Sequence, residues 1–146
     1  MAKPAEKLAA SLDILKKFQD DRGIAIIRSK DLTRTHRDRL VSGGFLREAI
    51  KGWYVATRPG ERPGDSTSWF TSFWRFIAAY CGERFGREWC LSPEQSLAIH
   101  VGNYSVPAQL LVRSPKAGNN RIDLPHGVSL FDMAASLPPV ETLTIT

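Results

Sequence analysis

The stretch SKDLTRTHRDRLVSGGFLREAIKGWYVA, residues 29–56, decides the fold that the sequence predicts. Ser29 is placed to cap a short helix, because a serine side chain can accept a hydrogen bond from the first free backbone N–H groups. Thr33 or Thr35 is placed to cap a second helix that runs to about Ser42. Two short helices in close succession indicate a helix-turn-helix.

The residues that follow predict a β-hairpin. Gly43-Gly44 ends the second helix, since glycine tolerates the left-handed turn. Phe45–Thr57 then reads as two β-prone runs joined by Lys51-Gly52, a two-residue turn signal. Within the second helix, Leu40 and Val41 are the expected core anchors.

Upstream of this stretch, the chain predicts a helix and a short strand. Apolar residues recur at helical spacing through Pro4–Asp20, and Ile24–Arg28 is a β-prone run. The resulting order of helix, strand, helix, helix and hairpin is that of a winged helix-turn-helix. The fold class predicted for the chain is α+β, with this winged helix-turn-helix followed by a small mixed α/β domain.

The charge of the chain is concentrated in its first part. The whole chain has a net charge of +5, with 13 Lys and Arg against 7 Asp and Glu in residues 1–60, and 7 against 8 in residues 61–146. Such asymmetry favours an anionic partner for the first part, with duplex DNA the leading candidate. A solvated basic face without a partner is the alternative that charge alone leaves open.

In a helix-turn-helix, the second helix lies in the major groove and presents its early residues to base edges. Arginine suits guanine because its planar guanidinium donates two parallel hydrogen bonds. Residues upstream of the helix and on the hairpin are placed to contact phosphates. A basic helical hairpin packed on a partner protein is the competing interpretation, and His36 is equally compatible with a partly buried position. The candidate DNA-binding residues are Arg28, Lys30, Arg34, Thr35, His36, Arg37, Arg39, Arg47 and Lys51.

The second part of the chain predicts a mixture of helices and strands. A helix dense in aromatic residues runs to about Arg84, and we interpret its aromatic stripe as core or interdomain packing. A helix over Pro93–Val101 is capped by Ser92. Strands are expected over Val106–Arg113 and, as its partner across a turn, Arg121–Leu124. Further apolar pieces are Val128–Met133 and Leu143–Ile145.

These patterns give a provisional domain map. Residues 1–58 form the predicted DNA-binding domain, residues 59–64 a Pro- and Gly-rich linker, and residues 65–146 an α/β regulatory domain. The last residues, 141–146, stop inside an apolar, β-prone run, which is consistent with a shortened C-terminus.

Several classes of function lack their sequence signals. Cys81 and Cys90 stand apart without clustered histidines, so we expect no metal site and interpret both as buried free thiols. No catalytic triad, nucleophile elbow, P-loop or dinucleotide fingerprint is present, so we expect neither enzyme activity nor a cofactor. Without a long apolar run or a secretory signal, the sequence predicts a cytoplasmic protein and no membrane partner.

Two groups of segments resemble a known family. Ser29–Leu32, Leu40–Leu46 and Lys51–Tyr54 are similar to the N-terminal winged helix of AbiEi-type antitoxins. The stretch from Leu91 to His100, followed by Val106-Pro107 and Leu110–Val112, is similar to the second domain of that family. Some Fic-family proteins carry a similar segment ahead of their catalytic domain, although the Fic signature itself is absent here.

The resemblance implies a bacterial transcriptional autorepressor that binds its own promoter and opposes a partner toxin. The alternative that it implies is a non-catalytic regulatory domain of a toxin or Fic-type enzyme. Either role is compatible with a homodimer, which the sequence leaves open.

Overall fold

The computed structural model describes residues 3–22, 26–60 and 66–137, and in them the chain is a mixed α+β protein. This confirms the α+β class that the sequence predicts. The chain divides into two compact units, residues 1–76 and 77–146. Of the sequence predictions, the apolar piece Leu143–Ile145 and most of the linker lie outside the described residues.

The helices and strands of the first unit follow the predicted order. They are α1 (Pro4–Arg22), β1 (Ile26–Arg28), a 3-10 turn (Ser29–Asp31), α2 (Arg34–Ser42), β2 (Leu46–Ile50) and β3 (Trp53–Ala56), followed by α3 (Thr67–Phe85), which continues into the second unit. The three strands form an antiparallel sheet in the order β1-β3-β2.

A small aliphatic core holds the first unit together. It joins one face of α1 to the 3-10 turn, α2 and the sheet, and its buried members are Leu15, Ile27, Leu32, Leu40 and Leu46. The prediction that Val41 is a second anchor was wrong, because its side chain is 40% exposed. At 100° per residue, α2 cannot turn both Leu40 and Val41 toward so small a core.

Most of the aromatic stripe of α3 is buried, as the packing interpretation predicted, although Phe70 is 39% exposed. Trp69, Phe73 and Phe76 are at most 5% exposed. Phe76 packs edge-on against Trp53 of β3, with ring centroids 5.7 Å apart. Such tilted pairs contribute attraction beyond the area that they bury.

The second unit is built on a four-stranded sheet with the order β4-β5-β7-β6. Its further elements are β4 (Cys90–Leu91), α4 (Pro93–His100), β5 (Gln109–Ser114), β6 (Arg121–Asp123), a 3-10 turn (Pro125–Gly127) and β7 (Ser129–Ala134). The Ser92 cap of α4 is confirmed, since its hydroxyl accepts a hydrogen bond from the N–H of Gln95.

The predicted pairing of β5 with β6 was wrong. β5 pairs with β7 in parallel, and β6 pairs with the other edge of β7. Both β5 and β7 bury side chains completely, Leu110 and Val112 on the first and Leu130 on the second. Placing these two strands side by side at the centre of the sheet buries more apolar surface than a β5–β6 hairpin would.

A buried ion pair connects α3 to this sheet. Asp132 on β7 is fully buried, and its Oδ2 accepts a hydrogen bond from Arg84 Nη1 at 2.7 Å. Its Oδ1 accepts a second bond from the backbone N–H of Asn120. The carboxylate therefore fixes both the helix and the turn before β6.

The two thiols differ from the prediction that both are buried: Cys81 is, but Cys90 is only half-buried. Burial raises the pKa of Cys81 to about 12, well above its usual value of 9.0. The folded state therefore holds this proton more tightly than the unfolded state does. The stabilisation is complete below pH 9 and is lost as the pH rises toward 12.

We expect the urea midpoint of the wild-type chain to fall between pH 8 and pH 11 more steeply than that of a Cys81→Ala variant. The variant starts from a lower stability because it has a core cavity, so the pH slopes are compared rather than the midpoints. Equal slopes would contradict the assignment. At pH 8, a thiol reagent should also modify Cys90 well before Cys81.

No helix in the described parts of the chain combines the length and the apolar character that crossing a membrane requires.

Candidate nucleic-acid interface

Local sequence fixes both ends of α2. The Thr33 side chain accepts a hydrogen bond from the N–H of His36, which confirms Thr33 as the cap. At the other end, Gly44 has a φ of +84°, and a Cβ there would lie 3.3 Å from Pro59 Cα. Any larger residue would therefore be strained at this position. The two signals set α2 as a nine-residue helix with a defined solvent face.

The first turn of α2 presents Arg34 and Thr35 to solvent. The Arg34 side chain is 87% exposed, and its Nε lies 3.7 Å from Oδ2 of Asp38, one turn later. Asp38 is itself 64% exposed. The pair is weak at this exposure, so it restrains Arg34 without holding it away from a ligand.

His36 and Arg37 have partners within the first unit. Nδ1 of His36 lies 2.8 Å from Oγ of buried Ser11, which links α2 to α1. Nη1 of Arg37 donates to the carbonyl of Ser29 at 2.9 Å, and its guanidinium lies 6.0 Å from the centre of the Tyr54 ring. Both side chains are half-buried and help to hold α2 in place.

Arg37 is also part of the electrostatic surroundings of Tyr54. Burial, followed by the nearby carboxylate of Glu48, raises the pKa of this phenol, and the charge of Arg37 opposes the rise. Tyr54 is therefore neutral at physiological pH and offers a hydroxyl group rather than a negative charge.

Arg28 packs against the hairpin. Its guanidinium carbon lies 4.3 Å from the centre of the Trp53 ring, a cation–π contact. Its backbone N–H donates to Oδ2 of Asp31, which closes the following 3-10 turn. The sequence predicted that Ser29 caps the short helix at this point. In the structure Arg28 occupies the cap position, and the carboxylate of Asp31 accepts the hydrogen bond from its backbone N–H.

One backbone hydrogen bond brings two exposed lysines to the same region. The N–H of Ser29 donates to the carbonyl of Gly52 at 2.9 Å, which ties the 3-10 turn to the tip of the hairpin. Lys30 follows Ser29 and Lys51 precedes Gly52, and both lysines are exposed. Arg47, on β2, is half-buried.

The last predicted residue, Arg39, lies on another side of α2. It lines an open cleft of about 580 Å³ between α1 and α2, together with Lys7 of α1. Lys7 is exposed and was not among the predicted site residues. The four-residue spacing of Lys3 and Lys7 was the sequence signal that could have pointed to Lys7. That spacing places both lysines on one face of α1 but does not show which element this face packs against.

Seven of the nine predicted residues therefore fall into two groups, and half-buried Arg39 and Arg47 belong to neither. The first group is exposed at the first turn of α2, the 3-10 turn and the hairpin tip, and its members are Lys30, Arg34, Thr35 and Lys51. Those that pack against the protein are Arg28, His36 and Arg37.

Nothing in the described residues adds a metal site, because no three of their His, Cys, Asp or Glu side chains cluster to hold an ion. No protein-family model, curated protein or solved structure matches the chain.

Proposed function

We propose that the chain binds duplex DNA through a winged helix-turn-helix in its first unit and acts as a transcriptional regulator. The observation that carries the proposal is the exposed first turn of α2, with Arg34 and Thr35 directed to solvent. In a helix-turn-helix this is the part of the recognition helix that contacts base edges.

The surroundings of that turn support the proposal. The 3-10 turn takes the place of the first helix of the motif and presents Lys30, and the hairpin takes the place of the wing and presents Lys51. Two exposed lysines, one on the 3-10 turn and one at the hairpin tip, suit contacts to the phosphates that flank a groove. His36 and Arg37 hold α2 in place and Arg28 packs on Trp53, so these three residues are not assigned to base contacts.

The antitoxin role within this proposal rests on the resemblance to AbiEi-type antitoxins. It implies a partner toxin, which co-purification with the product of a neighbouring gene would test. The alternative of a Fic-type regulatory domain was motivated by the aromatic residues of α3. Those at the core of that stripe, Trp69, Phe73 and Phe76, are buried, so they offer no docking surface.

The test is fluorescence anisotropy with a labelled duplex, titrated over a series of salt concentrations. Wild-type affinity should fall steeply with salt, because each neutralised phosphate releases about 0.9 counterion. A Lys30→Ala/Lys51→Ala variant should reduce the slope of log K against log salt by about 2.

Arg34→Ala should weaken binding by about 1–3 kcal/mol and relax sequence preference. Its matched control is Arg121→Ala, which removes an exposed arginine paired with an aspartate in the second unit. Binding that ignores salt, or that Arg121→Ala weakens as much as Arg34→Ala does, would refute the proposal.

A substitution that removes a negative charge instead of a positive one gives a further check of the proposed DNA-binding face. Asp38→Asn removes a negative charge from the proposed groove face and should strengthen binding to nonspecific duplex, because a carboxylate repels phosphates. The same change at Asp123, in the second unit, should leave affinity unaltered. Nonspecific binding that Asp38→Asn leaves as unaltered as the Asp123 change does would show that this face does not approach DNA.

A further inference from the structure

Beside the exposed Glu94 and His100, α4 and its C-terminal cap expose two large apolar side chains, whereas two serines are buried at this helix. Leu97 is 61% exposed and Val101, the residue that caps the helix, is 70% exposed. Ser92 and Ser96 are buried. A surface helix ordinarily buries its apolar stripe and exposes its polar one, so the exposure of Leu97 and Val101 departs from the usual pattern.

Hydrogen bonds explain how α4 packs by its polar side. The Gln95 side chain donates to the carbonyl of Gln109 and accepts from the N–H of Leu111, both at 2.8 Å. Ser96 Oγ donates to the carbonyl of Leu91 at 3.4 Å. These bonds fix α4 against β4 and β5 and commit Leu97 and Val101 to the outside.

The apolar surface continues past the end of the helix. Tyr104 is 62% exposed, so Leu97, Val101 and Tyr104 supply three of the five large hydrophobic side chains exposed among the described residues. From Leu91 to Val112, Glu94 is the sole Asp, Glu, Lys or Arg in the sequence. Depletion of charge with exposed tyrosine and aliphatic groups is typical of the centre of a protein–protein interface.

We propose that this α4 face, formed by Leu97, Val101 and Tyr104, joins two copies of the chain in a two-fold dimer. Residues 61–146 carry 7 Lys and Arg against 8 Asp and Glu, so their charge does not oppose contact between two copies through α4. A two-fold contact pairs the face with itself and buries apolar groups on both sides.

The ends of α4 favour an antiparallel pair. Glu94 lies in its first turn and His100 at its last residue, so antiparallel helices bring the acidic end of each α4 to the imidazole end of the other. Leu97 lies near the middle of α4 and so closest to the two-fold axis. The inference does not depend on DNA binding, although a symmetric dimer is also what a pseudo-palindromic operator requires.

Sedimentation velocity of the full chain over a concentration series tests the dimer. The wild-type chain should sediment as a dimer, and Leu97→Gln/Val101→Gln should raise the dissociation constant at least about tenfold. Val41→Gln removes an exposed aliphatic side chain of the first unit and should leave the dimer intact. A wild-type monomer at every concentration, or equal dissociation constants for wild type and double variant, would overturn the inference.

A second variant keeps the test independent of the double substitution. Oxidised Leu97→Cys should form a covalent dimer, whereas Lys51→Cys, with the same native thiols, should not. A chain that sediments as a dimer but gives no such cross-link uses another face. The dimer would also be refuted if the chain did not self-associate but bound a different protein through Leu97.

Discussion

Replacing Leu40 with alanine should destabilise the first unit by about 2–5 kcal/mol and loosen α2 from the sheet. Leu40 is fully buried and packs with Leu15, Ile27, Leu32 and Leu46. The substitution leaves a cavity at the only point where α2 contributes a fully buried side chain among the described residues. Urea denaturation followed by circular dichroism measures the loss of stability.

The next residue along the helix is the control for this experiment. Val41→Ala removes a side chain that is already 40% exposed, and alanine has the higher helix propensity. We expect a change within about 0.5 kcal/mol. Two substitutions one residue apart should thus differ several-fold in effect, and equal losses would mean that α2 packs in another register.

The second large effect is expected at Asp132. Asp132→Asn preserves the shape of the side chain and an oxygen for the N–H of Asn120 but removes the charge that pairs with Arg84. Breaking a buried pair from one side costs about 3–5 kcal/mol. We expect about 3 kcal/mol, because the Arg84 side chain is 32% exposed and water can partly solvate it.

An exposed ion pair in the same sheet provides the comparison. Arg121 and Asp123 lie 3.1 Å apart, with side chains 64% and 81% exposed. Asp123→Asn should change the free energy of unfolding by less than about 1 kcal/mol, since exposed pairs contribute little. Comparable losses at Asp123 and Asp132 would show that burial does not set the strength of these contacts.

Local signals in the sequence were enough for most elements of the fold. Thr33 and Ser92 cap their helices as predicted. Lys51-Gly52 forms the hairpin turn, with Gly52 at a φ of +87°. Each of these features depends on neighbours a few residues away, so one short window of sequence contains the whole cause.

The candidate site was predictable only in part. The excess of positive charge in residues 1–60 and the position of Arg34 can be read from the sequence. The directions of His36 and Arg37 cannot, because their partners, Ser11 and Ser29, come from other elements that meet α2 only in the folded unit. Composition therefore overstated the number of cations available to a ligand.

By itself, the sequence determined where α2 and α4 begin, where the hairpin turns, and which part of the chain is basic. The tertiary structure alone decided that Leu40 rather than Val41 anchors α2, that β5 pairs with β7, and that α4 turns Leu97 outward. The physical reason is that burial and long-range strand pairing depend on which surfaces meet. Residues distant in sequence compete for those contacts, and no local preference encodes the outcome.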